Sequence, residues 1–394
     1  MAPDADWKAS LTSSDRYDTI QAIKAALDKS DAQDLSSQKT AFEIENEAYQ
    51  ASASREEYEK ACQAVLSLGA PAAPAASLEP PAPPASQIRP ESPDAKTIGH
   101  YHDCRYVDSG VTADVYRSGA VALKVIVDTS PTEPHNPTRE AKILKLLKKP
   151  CIPLLETFRD RERRFVLVFP FLPLSLGSLA AQGPIPRPRI RKLFADLFDA
   201  LDHLHQQGII HRDVKPAALL LASPDGPAYL SDFGTAWHPE LSTSSEPRDG
   251  KILDIGTGPY RAPEALFGDR SYGASVDMWA AGAMLAECCR AWPRPLFESR
   301  AVHEDGNQLG LILSIFKTIG SPTRESWPQA ESFRTPPFDM YQVFTGRAWE
   351  DLLPDVDEDF RELVAALVMY NTNTRATASQ ALKFKCMLDH PGHD

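Results

Sequence analysis

The chain has 394 residues, of which 42% are hydrophobic and 24% are charged, so it is long enough for two domains or one large bilobal one. Its formal net charge of −12 argues against nucleic acid as a partner, because nucleic acids select basic surfaces. Its most apolar stretch, residues 165–179, contains two prolines and a glycine and is too short to span a bilayer comfortably, which argues against a membrane role.

The six cysteines are scattered along the chain, with no CxxC pair and no metal-ligand spacing. This usage is typical of reduced thiols. The N-terminal residues are acidic and polar, and they lack the basic and then apolar layout of a signal peptide. Together these features predict a protein of the nucleus or the cytoplasm.

Residues 1–68 are predicted to form three short helices. The pattern Thr-x-x-Asp at 12–15 indicates the start of the first, and the second is predicted over 35–50. The pattern Ser-x-x-Glu at 54–57 has the form of a capping box that opens the third. The apolar residues expected on one side of the first helix are Tyr17, Ile20, Ile23 and Leu27. Those expected on one side of the third helix are Tyr58, Ala61, Cys62, Val65 and Leu66.

Residues 69–99 are predicted to form a linker. Eight prolines lie between Pro71 and Pro93, among alanines and serines and with almost no large apolar residue. Such a segment cannot bury enough surface to offset its ordering entropy, and proline keeps it extended. A semi-stiff spacer is the simplest interpretation, and a docking site for a proline-binding domain is the alternative.

The sequence pattern changes at His100. Short β-rich runs surround one amphipathic helical stretch, residues 138–148, and longer helical patterns follow to the end of the chain. The β-rich runs are 106–107, 114–116, 121–127 and 165–168. A strand-rich small part that precedes a helical large part predicts a bilobal α+β fold.

Three short motifs follow one another in the second half of the chain. They are His211-Arg212-Asp213-Val214-Lys215-Pro216, Asp232-Phe233-Gly234 and Ala262-Pro263-Glu264. In this order and at these gaps they resemble the catalytic core of the protein kinase family. The resemblance implies a protein kinase domain over 100–390. Its small lobe, antiparallel β with one helix, would span 100–170, and its helical large lobe would span 171–390.

The resemblance also implies a role for the charged residues of these motifs. Phosphoryl transfer needs positioning and neutralisation of charge more than covalent chemistry. Asp213 would accept the proton of the acceptor hydroxyl, Lys215 would offset charge on the transferred phosphate, and Asp232 would hold Mg²⁺. A lysine at position 215 resembles serine/threonine kinases rather than tyrosine kinases.

A strand ahead of these motifs resembles the one whose lysine grips the α- and β-phosphates of ATP. It reads Val-Ala-Leu-Lys at 121–124, so the resemblance assigns this role to Lys124. Glu140 is the expected partner of this lysine. Glu133 is the alternative, although it lies between prolines and is poorly placed for a helix.

The resemblance further implies an adenine pocket beside this lysine. Of the three glycine positions in the loop that covers the phosphates, only Gly110 is a glycine, since the others are Asp108 and Ala113. Residues 165–172 resemble the strand that leads into the hinge, with Phe169 as its bulky gatekeeper. The residues assigned to adenine are Val115, Ala122, Phe171, Leu172 and Leu220. Each of these apolar residues has an ordinary core position as its alternative.

Further stretches resemble the cyclin-dependent and mitogen-activated kinases. They are residues 257–264, 276–282 and 313–323, and Arg375 is expected to pair with Glu264. The resemblance implies a serine/threonine kinase of the cyclin-dependent-kinase-like group. The combination is similar to the divergent fungal kinases that phosphorylate cyclin-dependent kinases, so the protein substrate would be another kinase.

Two departures from that group concern regulation. The helix around Glu140 lacks the cyclin-recognition sequence, so cyclin binding is not implied. Counted back from Ala262, the usual activating threonine falls at Ile252, which cannot be phosphorylated. The hydroxyl residues upstream that offer a substitute are Ser242, Thr243, Ser244 and Ser245. An ordinary polar loop is the alternative account of that cluster.

A third departure concerns catalysis. The family pattern places an asparagine that holds a second Mg²⁺ five residues after Asp213, and this chain has Ala218 there. Two hypotheses stay open. In one, transfer persists with the metal site on Asp232, helped by Ser231 or a water. In the other, the domain binds nucleotide but acts as a scaffold without catalysis.

The N-terminal segment carries a second resemblance. Asp6-Trp7-Lys8, with Phe42-Glu43 and Tyr58, resembles the KIX domain of a Mediator tail subunit. That family presents a groove for amphipathic activation-domain helices, which would make a transcription-activator peptide a partner of residues 1–68. A generic three-helix bundle or a dimerisation element is the alternative.

Overall fold

The structure is a computed structural model. It describes residues 23, 48, 52, 54–66, 95–110, 112–127, 133–148, 150–298, 308–339 and 342–388. The chain divides into two compact units, Met1–Ile88 and Arg89–Asp394. Within the described ranges, no helix has both the length and the apolar character needed to cross a bilayer.

The first unit contains helix α1 (Arg55–Leu66), which agrees with the third helix predicted from the sequence. The backbone N–H of Glu57 donates to Ser54 Oγ at 3.3 Å, as expected for a capping serine. Tyr58, Cys62 and Ile23 are buried as predicted, whereas Ala61 is exposed. Apart from residues 23 and 48, which are helical, the two other predicted helices lie outside the described residues, as do the KIX motif residues other than Tyr58 and residues 69–94 of the predicted linker.

The small lobe of the second unit is built on a six-stranded antiparallel sheet in the order β1-β2-β3-β4-β6-β5. Its strands are β1 (Lys96–Ile98), β2 (Tyr101–Ser109), β3 (Ala113–Ser118), β4 (Val121–Ile126), β5 (Glu156–Arg159) and β6 (Phe165–Pro170). Four of the strands include the predicted β-rich runs, except for Val127, which lies just beyond β4. The edge strands β1 and β5 were not predicted, because both are short and partly exposed and lack a clear apolar alternation. Strand β1 also places the start of the sheet within the stretch assigned to the linker.

The register of this sheet decides which side chains share a face. Val115 on β3 lies opposite Lys124 on β4, and Ala122 on β4 lies opposite Phe169 on β6. Side chains two residues apart on a strand point to the same face, so Ala122 and Lys124 point together. The intervening Leu123 is fully buried on the other side. The sheet therefore carries an apolar wall and a lysine on the same surface.

Helix α2 (Pro137–Leu144) packs beneath the sheet. Asn136 caps it, because the Asn136 side chain accepts from the backbone N–H of Arg139 at 2.9 Å, and Pro137 occupies the first turn. The helix ends four residues earlier than the predicted stretch 138–148. Beyond Lys145, the N–H groups of Leu146 and Leu147 bond to carbonyls three residues back instead of four, which ends the regular helix.

The large lobe is helical, and its core surrounds α6. Its helices are α3 (Leu176–Ala181), α4 (Arg187–His205), α5 (Pro263–Leu266), α6 (Ser275–Cys288), α7 (Gln308–Ile319), α8 (Trp349–Leu352), α9 (Glu358–Leu367) and α10 (Ala378–Ala381). Strands β7 (Leu174–Ser175), β8 (Leu219–Leu221) and β9 (Ala228–Leu230) form a small antiparallel sheet that faces the small lobe. Almost every residue of α6 is buried, and a Cβ at Gly282 would lie 2.6 Å from Leu367 Cβ, so α9 packs closely there. The α+β bilobal fold is thus confirmed.

The predicted pair between Glu264 and Arg375 is confirmed. Arg375 Nη1 lies 2.6 Å from Glu264 Oε1, and Nη2 lies 3.1 Å from Oε2, with both side chains fully buried. The same guanidinium donates to the carbonyls of Met369 and Ser275. A buried charge pair is tolerated when every donor is used in this way.

Candidate active site

One cavity of about 680 Å³ lies between the two lobes. All the residues predicted to form the site line it, together with Phe169 and Thr257. The charged ones come from the small-lobe sheet, helix α2 and the loops on either side of β8 and β9. The predicted site residues are thus brought together by the fold, although they are spread over more than a hundred positions of the chain.

Lys124 lies at the centre of the charged part of this cavity. Its Nζ lies 2.8 and 3.0 Å from the two carboxylate oxygens of Glu140 and 3.2 Å from Asp232 Oδ1. The Lys124 ammonium holds the pKa of Asp232 well below its ordinary value, so Asp232 is ionised at neutral pH. Burial alone would lower the pKa of Lys124, but the two carboxylates outweigh it and raise that pKa.

Glu140, rather than Glu133, is therefore the partner of Lys124 in this structure. Glu133 instead accepts from Arg139, the residue before Glu140, with Arg139 Nη1 3.0 Å from Glu133 Oε1. Arg139 also donates to the carbonyl of Pro134. These contacts tie the start of α2 to the residues before it.

Asp213, Lys215 and Thr257 form a second cluster at the opening of the cavity. Lys215 Nζ lies 2.5 Å from Asp213 Oδ2 and 3.3 Å from Thr257 Oγ1. The Thr257 hydroxyl donates to Asp213 Oδ1 at 2.6 Å. Asp213 thus has one oxygen held by a cation and the other by a hydroxyl. Thr257 was noted in the sequence only as part of a motif, and its contact with Asp213 was not predicted.

Asp277, on α6, holds the backbone that carries Asp213. Its buried carboxylate accepts from the backbone N–H groups of His211 and Arg212 at 2.9 and 2.8 Å, and His205 Nε2 lies 2.9 Å away. Arg212 has φ of +71°, in the left-handed region that a side chain rarely adopts. Such a conformation persists only when its surroundings hold it, and Asp277 provides part of that support.

The loop that carries Asp232 is held by its neighbours. Asp232 also has a positive φ, +62°. Next to it, Phe233 is buried against the ring of His211, with ring centroids 4.8 Å apart. The carbonyl of Gly234 accepts from the backbone N–H of Asn136 at 3.1 Å, which connects this loop to α2. Asp232 is therefore placed by contacts from both lobes.

The apolar end of the cavity contains the residues predicted to surround adenine. Val115 and Ala122 come from the sheet above, Leu220 comes from β8 below, and Leu172 lies beyond the end of β6. The backbone N–H of Phe171 donates to the carbonyl of Ala120 at 2.8 Å, so it is not free for a ligand. Adenine binding by the backbone groups of Phe171 and Leu172 stays a prediction.

Gly110 lies at the turn between β2 and β3. Its backbone N–H donates to the carbonyl of Ala113 at 2.8 Å. A Cβ added at Gly110 would meet that carbonyl at 3.7 Å, an ordinary contact. The turn itself therefore does not require glycine, and a role for Gly110 in close approach to phosphates stays a prediction.

Ala218, at the position of the expected asparagine, is buried at the wall of the cavity. Its carbonyl accepts from both the backbone N–H and the hydroxyl of Ser231, each at 2.8 Å. Ser231 is mostly buried and lines the cavity next to Asp232. Hence a hydroxyl, and no amide, lies at this position near Asp232, the aspartate predicted to hold Mg²⁺.

The loop between Asp232 and Thr257 carries the hydroxyl cluster considered above. Ser242 is fully buried, and its Oγ accepts from the backbone N–H of His238 at 2.9 Å, so it is a structural residue. Ser245 is exposed, and its hydroxyl donates to Glu133 Oε1 at 3.0 Å. Ile252 donates its backbone N–H to Glu246 Oε1 at 2.8 Å. The buried Glu246 was not singled out in the sequence, because nothing local marks it.

The fold and the cavity define the class of protein kinases, with a lysine–glutamate pair from the small lobe and two aspartates from the large one. Residues 105–387 match the family model of the protein kinase domain. The chain belongs to the protein kinase family.

Two curated relatives place it within that family. The chain is 33% identical to the serine/threonine-protein kinase csk1 of Schizosaccharomyces pombe, over 70% of this chain and 92% of the relative. It is 31% identical to cyclin-dependent kinase 7 of Carassius auratus, over 74% of this chain and 84% of that protein. It is thus a distant relative of these cyclin-dependent-kinase-like proteins. Neither the family match nor these relatives support the KIX resemblance of residues 1–68.

Proposed function

We propose that this chain is an ATP-dependent serine/threonine protein kinase of the cyclin-dependent-kinase-like group, which transfers the γ-phosphate of ATP to a hydroxyl of another kinase. The observation that carries the proposal is the convergence of Asp213, Lys215, Asp232 and the Lys124–Glu140 pair in one cavity. The relatives named as serine/threonine and cyclin-dependent kinases support the choice of acceptor and of group.

The residues of the cavity fit a nucleotide with Mg²⁺. The Asp232 carboxylate is ionised and nearly half exposed, which suits a hard cation that prefers oxygen ligands. Lys124 and Lys215 supply positive charge on either side of it, with Lys215 Nζ 4.0 Å from Asp232 Oδ2. Mg²⁺, when bound, neutralises charge on the phosphate oxygens. Apolar walls at the other end of the cavity suit a base.

Each charged residue then has a distinct task. Asp213 accepts the proton of the acceptor hydroxyl, and Thr257 holds the carboxylate in place through its 2.6 Å hydrogen bond. Lys215 stabilises negative charge on the transferred group, since its ammonium lies between Asp213 and Asp232. Lys124 binds the phosphates that remain with the nucleotide, and Glu140 orients Lys124.

No cyclin is needed in this proposal to bring Glu140 to Lys124. The names of some relatives state dependence on a cyclin. In this single chain, however, the Lys124–Glu140 pair is already formed. Internal contacts support it, because Asn136 joins α2 to Gly234 and Arg139 is satisfied by Glu133. A cyclin would add contacts to a helix that is already in its working position.

Lys124→Met is expected to weaken the binding of Mg-ATP by about 10- to 100-fold, the loss that follows from removing a charge-assisted hydrogen bond. The substitution also removes the main cause of the lowered pKa of Asp232. Titration with a fluorescent ATP analogue measures the change. Lys142→Met, at an exposed position of the same helix as Glu140, is the control and should bind like the unaltered protein. Equal affinity of the two variants would contradict the role given to Lys124.

The direct test of the proposal is transfer of labelled phosphate from Mg-ATP to an inactive cyclin-dependent kinase. The Asp213→Asn variant serves as the control for contaminating activity. Transfer by the unaltered chain that disappears in this variant supports the proposal. If both proteins are inert while ATP binds, the chain is a nucleotide-binding scaffold. Ala218 is the observation that favours this second function, because it removes an expected metal ligand.

Ala218→Asn is expected to raise kcat by about tenfold or more, because an amide oxygen beside Asp232 would supply one further preorganised ligand for Mg²⁺. In other enzymes, losing one preorganised polar contact lowers kcat by roughly 10²- to 10³-fold. The concentration of Mg²⁺ that gives half-maximal activity should fall as well. Steady-state assays over a Mg²⁺ series measure both. The gain must vanish when Asp213→Asn is added. An unchanged or lower kcat in a folded Ala218→Asn variant would show that Ser231 or a water already fills this role.

A further inference from the structure

A buried ion pair joins residues 211–216, here called the catalytic loop, to the segment between Asp232 and Thr257, here called the activation segment (residues 235–257). Arg212 Nη1 lies 2.5 Å from Glu246 Oε1, and the exposed fractions of their side chains are 0% and 1%. The Arg212 guanidinium also donates to the carbonyl of Thr235, at the start of the segment, and to the Tyr272 hydroxyl. One side chain thus contacts the beginning and the middle of the activation segment.

Glu246 holds the other end of the same segment. Its Oε1 accepts from the backbone N–H of Ile252 at 2.8 Å, in addition to Arg212. Its backbone carbonyl accepts from Trp237 Nε1 at 3.0 Å. Glu246 therefore connects the early part of the segment, its late part and the catalytic loop. The buried Lys251, in the same segment, lies over the rings of Trp237 and Tyr272.

The ion pair bears on catalysis through the backbone. Arg212 immediately precedes Asp213 and has a left-handed φ of +71°, which the surroundings must maintain. Asp277 holds the backbone N–H of Arg212, and Glu246 holds its side chain. Without Glu246 the guanidinium would be a buried charge lacking its carboxylate, which is strongly unfavourable. We expect the loop to rearrange in that case, and Asp213 to move with it.

Other kinases commonly order this segment with a phosphate that pairs with arginines. Here the position expected to carry the phosphate is Ile252, and its backbone already binds Glu246. A second buried arginine, Arg139 beside Glu140, is likewise paired with a carboxylate, that of Glu133. Arg212 and Arg139 are thus each paired with a carboxylate of the chain itself.

We propose that Glu246 is a positioning residue, whose carboxylate holds the catalytic loop and the activation segment in the arrangement for transfer, so that no phosphorylation of this segment is needed. The catalytic part of this inference rests on the proposed function. Its structural part, the holding of the segment, does not.

The first test compares full-length Glu246→Gln with Glu240→Gln, an exposed glutamate of the same segment. Limited trypsin cleavage after Lys251, which is 4% exposed, reports opening of the segment without any need for activity. Mass spectrometry identifies the fragments 1–251 and 252–394. Glu246→Gln should be cleaved there about 10- to 100-fold faster than the unaltered chain, because glutamine keeps an acceptor oxygen but loses the negative charge that strengthens the hydrogen bond to Arg212. Glu240→Gln should be cleaved like the unaltered chain.

The second readout separates positioning from ATP binding. In Glu246→Gln, kcat should fall about 10- to 100-fold, by the same reasoning, while KM for ATP stays within about threefold, because Lys124 and Asp232 are untouched. Glu246→Asp, which keeps the charge, should recover part of the lost kcat. Equal kcat in Glu246→Gln and the unaltered chain would overturn the proposal.

The third readout needs no variant and covers the case in which Glu246→Gln fails to fold. Phosphatase treatment of the unaltered chain, checked by intact mass, should leave kcat and the rate of cleavage after Lys251 unchanged. A loss of activity on dephosphorylation of the segment would refute the inference. An inert unaltered chain would refute the proposed function instead. The cleavage rates would then still decide whether Glu246 holds the segment.

Discussion

Replacing Asp213 by asparagine is expected to lower kcat for phosphoryl transfer by about 10²- to 10⁴-fold, the range typical of a lost general base. Asparagine keeps the size of the side chain and can still contact Thr257, but it cannot accept the proton of the acceptor hydroxyl. It also removes the negative charge that holds Lys215 at 2.5 Å. Affinity for ATP should change little, because the substitution leaves the Lys124–Glu140 pair intact.

Steady-state kinetics and an independent ATP titration on the same preparation measure these two quantities. Asp225→Asn is the matched control, since Asp225 is an exposed carboxylate of the large lobe, 84% exposed, whose side chain contacts Arg189. Its kcat should equal that of the unaltered chain. An Asp213→Asn variant that retains most of its kcat would remove Asp213 from the mechanism. In that case the hydroxyl would have to lose its proton to another group.

Arg375→Met is expected to lower the free energy of unfolding of the kinase domain by about 3–5 kcal/mol, as found when one partner of a buried ion pair is removed. Methionine fills most of the space of the arginine stem but leaves Glu264 charged, fully buried and without its guanidinium. The carbonyls of Met369 and Ser275 lose their donors as well. The shift in the midpoint of urea denaturation, followed by tryptophan fluorescence, measures the effect.

The control for this substitution is Arg324→Met. Arg324 pairs with Glu331, and both side chains are more than half exposed. Its removal should cost no more than about 1 kcal/mol, because exposed ion pairs are screened by water. Adding Glu264→Gln to Arg375→Met should recover part of the lost stability, since the stranded charge is then gone. Similar midpoints for Arg375→Met and Arg324→Met would show that the buried pair contributes little.

Much of the candidate site was predictable because its chemistry resides in short motifs. Asp213 and Lys215 are two residues apart, and Asp232 is followed by Phe233 and Gly234, so the order of residue types along the chain identified them. The pair of Glu264 and Arg375 was predictable for the same reason, although 111 positions separate its members. Each of these residues lies in a recognisable local pattern.

Errors and omissions occurred where local pattern and three-dimensional packing differ. Helix α2 ends earlier than its amphipathic pattern, because the N–H groups of Leu146 and Leu147 bond three residues back and the chain leaves the regular helix there. The hydrogen bond from the Phe171 N–H to the carbonyl of Ala120 was not predicted, because a pattern of apolar residues does not reveal backbone partners. The edge strands β1 and β5 were missed, because half-exposed edges need little apolar alternation.

The sequence by itself determined the class of protein, the α+β order of the two lobes and the identity of the charged residues in the cavity, because each of these depends on residue type and spacing. Only the tertiary structure decided between Glu140 and Glu133 as the partner of Lys124, and only it joined Glu246 to Arg212. An ion pair is set by distance in space and by burial. Glu246 lies in no motif and no periodic pattern that would predict Arg212, 34 positions away, as its partner, so only the folded chain reveals that pair.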